Sequence, residues 1–470
     1  MGTIFGTDGV RDRAGRGWLA PSKVVRIAQA AGSVLRKRPA LFRTSVPRAF
    51  EHLQEPPLPG APARGRVLIG RDPRASGPLI ERALARGFAS VGVEVALAGV
   101  IPTPGVATLT RRWGCSLGVV ISASHNPADD NGLKVLDSHG LKLDDAVEDE
   151  LEQLIWRSEE LGGPGNAEIG RMVDARARLD DYLRHRIGLA ATVRAAGLRL
   201  VLDGANGSGC FVGPEILAAT GATVSVIHAE PDGININVRA GATAPASLAE
   251  AVVTAGADVG FALDGDADRL IAVDATGRVV DGDQVLGILA LDRLERGQLP
   301  GGSLVVSVLS NGGLQAAVEA AGGQVIRTPV GDKYILEGMQ VSGAGLGGEK
   351  SGHVIVLEHT TSGDGIVTAL EVLRVMGRRG ASLAELAAAI PMLPQQQRAV
   401  KARHKDQWEG DPTLQRAIAD AAVRLGGSGR VLVRPSGTEP ALRVMVEGPD
   451  ENLVVELADS LAALAGERLN

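Results

Sequence analysis

Short runs of β-branched and aliphatic residues alternate along the chain with longer stretches of helical period. Pro21–Leu35 reads as a helix, with Pro21 at its start and Val24, Val25, Ala28 and Leu35 on one apolar face. Val67-Leu-Ile then reads as a buried strand, Leu79–Gly92 as a helix and Val93–Val100 as a strand. A third apolar run, Val119–Ile121, follows, and Asp144–Glu160 has the spacing of an amphipathic helix. The alternation restarts with strand Leu198–Asp203, a helix near Gly213–Thr220, strand Ala222–Ile227, helix Ser247–Ala255 and strand Val259–Leu263. A third round runs from helix Asp283–Leu294 into strand Leu304–Leu309. After Pro391 the pattern changes to helix Pro412–Leu425, strands Arg430–Arg434 and Leu442–Glu447, and helix Asn452–Leu464.

Strands alternating with helices of this length predict α/β domains, their mixed, mainly parallel sheets covered on both faces. Strand, Asn-Gly, helix recurs at Val201–Gly207 and Val305–Gly312, which points to copies of one βα unit. The last segment reads as a smaller α+β domain. Residues 1–170, 171–277, 278–390 and 391–470 are the expected domains. Arg36–Arg66, with six prolines and scattered basic residues, reads as a surface insertion.

At 470 residues the chain exceeds what one hydrophobic core organises. A net charge of −6 and only 3% aromatics argue against a nucleic-acid partner. No apolar run is long enough to span a bilayer, and Met1–Arg13 lacks the basic-then-apolar layout of a secretory leader. The expected location is the cytoplasm. Cys115 and Cys210, the two cysteines, read as core thiols.

Four stretches carry chemistry. Gly118–Lys134 opens as a strand and breaks into Ser-Ala-Ser-His-Asn-Pro, which places Ser124 and His125 at a sheet edge. Asn131-Gly132 is expected to turn the chain so that Lys134 returns to the same place. Asp264, Asp266 and Asp268 follow an apolar strand at i, i+2, i+4, and converging anions require a cation. Arg269 and Ala275 stand where an EF-hand needs Gly and Glu, so a single hard ion such as Mg²⁺ is expected instead. In Gly347–His353, glycines let backbone approach a ligand, Glu349 and Ser351 suit hydroxyls, and His353 is a candidate proton carrier. Arg434-Pro-Ser-Gly-Thr, with Arg443 beyond it, offers hydroxyls, amides and guanidinium groups to a phosphate through Arg434, Ser436, Gly437 and Thr438. Gly207-Ser-Gly209 lacks the third glycine of a dinucleotide fingerprint. Together these parts call for phosphoryl transfer through Ser124.

In this order the four motifs resemble the α-D-phosphohexomutase family, over nearly the whole chain apart from the Pro-rich insertion. The resemblance implies four domains, the first three related, with the active site in the central cleft. It implies that Ser124 is a phosphoserine and that Asp264, Asp266 and Asp268 hold one Mg²⁺ together with its phosphate. Glu349 and Ser351 would then bind sugar hydroxyls; Ser436, Gly437, Thr438 and Arg443 would bind the substrate phosphate. Arg11, Lys134 and His353 match positions around the transferred phosphoryl group and its proton. The implied partner is a small sugar phosphate, with a bisphosphorylated hexose as intermediate and activator, and a homodimer is compatible with the family.

Phe5–Arg11, Pro231–Asn237 and Arg443–Gly448 most resemble the bacterial branch that interconverts glucosamine 6-phosphate and glucosamine 1-phosphate. The alternatives are the branches acting on glucose or mannose phosphates, or a silent relative that only binds sugar phosphates. Asp12 stands where that branch has Gly, and Lys350 where it has Gln. A cation at Lys350 disfavours an amino sugar if it points inward.

Overall fold

The computed structural model describes residues 4–6, 8–42, 65–157, 169–436 and 440–470. Three α/β domains and a C-terminal α+β domain are built on four sheets. The first sheet runs, edge to edge, Val10–Arg13, Asp130–Leu136, Leu117–Ile121, Arg66–Arg71, Glu94–Val100 and Met172–Asp174. Its last four strands are parallel and the other pairings antiparallel. The second sheet runs Val279–Val280, Leu270–Asp274, Val259–Leu263, Arg199–Asp203, Thr223–Ile227. The third runs Gln324–Thr328, Ser303–Ser307, Leu346–Gly348, Val354–Val356. The C-terminal sheet, Gln395–Lys401, Ala441–Glu447 and Arg430–Pro435, is antiparallel throughout.

One topological feature recurs in the first three sheets. Strands Leu117–Ile121, Val259–Leu263 and Leu346–Gly348 each lie parallel to a neighbour, then turn through a loop into an antiparallel strand. Those loops carry Ser124, the three aspartates, and Glu349 with Ser351. All three strands are buried along their length, which explains their unbroken apolar sequence. One apolar cluster runs through the three domains, including Leu109, Leu202, Phe261, Leu286 and Leu370. The C-terminal domain has its own, around Leu414, Leu442 and Leu461.

Most predicted elements appear within a few residues; helix Asn452–Leu464 extends to Glu451–Leu469, capped by the Asp450 carboxylate. The expected turn at Asn131-Gly132 is not one. Both lie in strand Asp130–Leu136, as does Lys134, and the chain reverses earlier, before Asp130. Gly132 is needed there for room, because a Cβ would lie 2.5 Å from the Ser122 carbonyl oxygen. Helix Thr103–Arg112 has no counterpart in the apolar pattern, since Thr-Pro-Gly-Val reads as a turn; Pro104 sits in its first turn, where its missing N–H is harmless. Within the Pro-rich stretch, residues 43–64 lie outside the described residues, and Pro39–Phe42 forms a short turn with Phe42 buried.

Candidate functional site

Ser124 heads the loop after Leu117–Ile121 in a left-handed conformation, φ +53°. Its hydroxyl donates to Asp264 Oδ2 at 2.6 Å, so the serine and acidic loops meet although 140 residues apart. His125 Nδ1 lies 3.4 Å from Ser124 Oγ. Burial, with Arg269 and Arg11 adding to it, lowers the His125 pKa to about 4 and keeps the ring neutral.

Asp264, Asp266 and Asp268 are buried, and one carboxylate oxygen from each lies within 4.8 Å of the others. Lys134 Nζ donates to Asp266 Oδ2 at 2.7 Å and to Asp268 Oδ2 at 2.9 Å. Burial, then the charges of Asp268 and Asp266, raises the Asp264 carboxyl well above its usual range. Burial opposes ionisation of Asp268 as well, but Lys134 and His353 hold that carboxyl well below the usual range. Lys134 is stripped of water too, yet the two aspartates raise its pKa, so it stays an ammonium. Asp266 Oδ1 and Asp268 Oδ1 are buried without a hydrogen-bond partner. Converging oxygens left without donors fit a small hard cation, which the three aspartates would hold.

His353 is held at one ring nitrogen and faces a carboxylate with the other. Nε2 accepts the Gly363 N–H at 3.2 Å, and Nδ1 faces Asp268 Oδ1 at 3.8 Å, too long for a hydrogen bond. Burial lowers the His353 pKa, but the Asp268 charge more than compensates and the net direction is up. Arg11 lies on Val10–Arg13, opposite Gly132, and pairs with Asp8 at 3.1 Å.

A cavity of about 160 Å³ joins these parts, lined by Asp8, Arg11, Ser124, Lys134, Asp268, Arg269, Gly331, Asp332, Glu349 and His353. Glu349 Oε1 accepts the Gly331 N–H at 3.1 Å, while Ser351 Oγ is buried without a partner nearby. Lys350 points elsewhere. Its ammonium donates to Gln395 Oε1 at 3.0 Å and lies 3.9 Å from Asp281, at the junction with the C-terminal domain.

Arg434 and Arg443 sit opposite each other on neighbouring C-terminal strands, with Ser436 buried beyond them. The structure does not bring them into this cavity, although the Arg434 guanidinium feels the Glu349 charge. Gly437 and Thr438 lie outside the described residues.

Sequence reasoning missed Arg269 and Thr103. Arg269 closes the acidic motif, is partly buried and is a cation on the cavity wall. Thr103 Oγ1 donates to Asp266 Oδ2 at 2.5 Å from the start of an unrecognised helix. The position of Arg269 in the motif was the available signal for the first; the sequence holds none for the second.

Family models place these features. Phosphoglucomutase/phosphomannomutase alpha/beta/alpha domain I matches residues 55–162, domain II 180–277, domain III 281–393 and the C-terminal domain 397–464. The chain therefore belongs to the phosphoglucomutase/phosphomannomutase family, the phosphohexomutases. It is 49% identical to the phosphoglucosamine mutase of Moorella thermoacetica, covering 99% of this chain and 98% of that protein. It is 46% identical to the phosphoglucosamine mutase of a Nocardioides species, over 100% of both chains. Among solved structures, a phosphoglucomutase/phosphomannomutase family protein from Burkholderia thailandensis superposes with TM-score 0.80 at 23% identity, over 99% of this chain and 98% of that one. Aspergillus fumigatus N-acetylphosphoglucosamine mutase, in complex with GlcNAc-6P and magnesium, superposes with TM-score 0.68 at 18% identity, over 99% and 96%. No helix among the described residues is long and apolar enough to cross a membrane.

Proposed function

We propose that this chain is an isomerase that interconverts glucosamine 6-phosphate and glucosamine 1-phosphate through phosphorylated Ser124 and a bisphosphorylated sugar. The reading rests on one observation above all: Ser124 Oγ donates to Asp264 at 2.6 Å, on a cavity that Glu349 and His353 wall from the third domain.

In the transfer, the bond from phosphorus to Ser124 Oγ breaks as one forms to a sugar hydroxyl oxygen. The hydroxyl proton passes to Asp268 or His353, beside which Lys134 stays an ammonium, and Ser124 Oγ takes up one proton as the phosphoryl group leaves it. Arg11, Arg269 and Lys134 line the cavity as cations and spread the charge that develops on the phosphoryl oxygens. Glu349 and Ser351 bind the sugar hydroxyls and so orient the sugar. The bisphosphorylated sugar then turns, and its other phosphate returns to Ser124. Arg434, Ser436 and Arg443, with Gly437 and Thr438, hold the phosphate that is not reacting.

The metal is assigned as Mg²⁺, because three buried carboxylates form an all-oxygen donor set. Bound there, it supplies positive charge to the phosphoryl group. The location is assigned as the cytoplasm. Lys350 is no obstacle to an amino sugar, since its charge is turned toward Gln395.

Intact mass of the purified protein should reveal one added phosphate, absent from Ser124→Ala, which should not turn over. Activity on glucosamine 6-phosphate should exceed that on glucose 1-phosphate and mannose 1-phosphate. Glucosamine phosphates as the poorest substrates would refute the sugar assignment. A protein that binds sugar phosphate but is never phosphorylated would refute the reaction.

A further inference from the structure

The carbonyl of Ser124 is gripped from two domains. Arg74 Nη2 donates to it at 2.9 Å from the first, and Asn237 Nδ2 at 2.9 Å from the second. Arg74 is fully buried, and every N–H of its guanidinium has a partner. Nε donates to Asp72 Oδ2 at 2.9 Å; Nη1 serves the carbonyls of Pro127 and Asp130, and Nη2 those of Ser124 and Asn126. A planar fork gathers four carbonyls into a fixed curl in a way an ammonium cannot.

The amide side of Ser124 is tied to the same pair. Its N–H donates to Ser122 Oγ at 2.8 Å, and that hydroxyl donates to Asp72 Oδ2 at 2.7 Å. Such ties matter because φ +53° is unfavourable for a serine and persists only where the surroundings enforce it. Asn237 adds a bond to the Asn126 carbonyl at 3.2 Å, and its own N–H holds the Ala205 carbonyl at 2.9 Å. It also adjoins the acidic loop: a Cβ on Gly265 would lie 3.1 Å from Asn237 Nδ2 and 2.6 Å from the Ser124 carbonyl oxygen.

We propose that Arg74 and Asn237 are positioning residues, which clamp the Ser124 carbonyl from two domains and thereby set its hydroxyl in register with the acidic loop. The proposal rests on Ser124 being the phosphoryl carrier. Neither residue touches the reacting atoms. Without the clamp, Ser124 relaxes toward negative φ and its hydroxyl swings away from Asp264.

The test uses full-length Asn237→Gly, which keeps the freedom to adopt positive φ but removes the donor, and Arg74→Lys, which keeps the charge but not the fork. Steady-state kinetics on glucosamine 6-phosphate and the ³¹P resonance of the phosphorylated protein are measured beside wild type. For each variant, kcat should fall by about 10- to 100-fold with KM within about twofold, as expected for misplacement of a reacting group. The ³¹P resonance should move or broaden. Added ethylguanidinium should partly restore kcat to Arg74→Ala. If Arg74 variants do not fold, Asn237→Gly decides alone. Folded variants with wild-type kcat and an unmoved resonance overturn the proposal, as does a rise confined to KM. A wild-type protein that turns over without a phosphate on Ser124 overturns the parent reading and this one with it.

Discussion

Asp283 opens the helix Gly282–Glu295 beside the loop that carries Glu349, where the Gly282 N–H donates to the Lys350 carbonyl. It is fully buried; Oδ2 accepts the Asn311 N–H at 2.8 Å and Oδ1 has no partner. Burial, reinforced by the Asp281 charge, raises its pKa from 3.8 to about 7, despite the Asn311 amide. A carboxyl whose pKa is higher folded than unfolded binds its proton more tightly in the folded state. Its contribution to stability is therefore complete below the unfolded pKa and lost as pH rises through about 7. The full span is about 4 kcal/mol, of which about 2 kcal/mol falls between pH 5.5 and pH 8. Asp283→Asn substitutes a group that stays neutral throughout, so the variant should lack this loss. Four domains need not unfold together, so the assay is local: hydrogen exchange of helix Gly282–Glu295 peptides at both pH values. The opening free energy of wild type should fall by about 2 kcal/mol more than that of the variant. Parallel behaviour of the two proteins would show that Asp283 is ionised at both pH values and refute the reasoning.

Two further substitutions probe the cavity. In Gly265→Ala the new Cβ would lie 2.6 Å from the Ser124 carbonyl oxygen and 2.7 Å from Ile236 Cδ1, so the serine and acidic loops must separate. Overpacking should cost about 1–3 kcal/mol of stability, and kcat should fall by about 10- to 100-fold; wild-type kcat in a folded variant would show that the contact does not set the geometry. Lys350→Gln should leave the ranking of glucosamine, glucose and mannose phosphates by kcat/KM unchanged, because the ammonium bonds Gln395 rather than facing the cavity. A reversed ranking would place Lys350 in sugar selection.

What the sequence reveals depends on how far each residue's partners lie along the chain. Ser124, the three aspartates and Glu349 are legible because each sits in a short polar break after an apolar strand, and the break itself is the signal. The buried strands are legible for the same local reason, whereas Asp130–Leu136 is hidden by its opening Asp-Asn-Gly, residues that ordinarily mark a turn. Arg74 is invisible by this route. In Arg-Asp-Pro-Arg-Ala-Ser it resembles a solvated arginine in a turn, and only folding brings it against carbonyls 50 to 56 residues away. The Asn-Gly repeat does point to related domains, but it marks strand–helix turns rather than the hairpins that carry the chemistry. Those hairpins share topology without sharing residues: one carries Ser124, one the three aspartates and one Glu349. The common topology thus places each polar break at the same point of its sheet, while the residues within the break differ from one domain to the next.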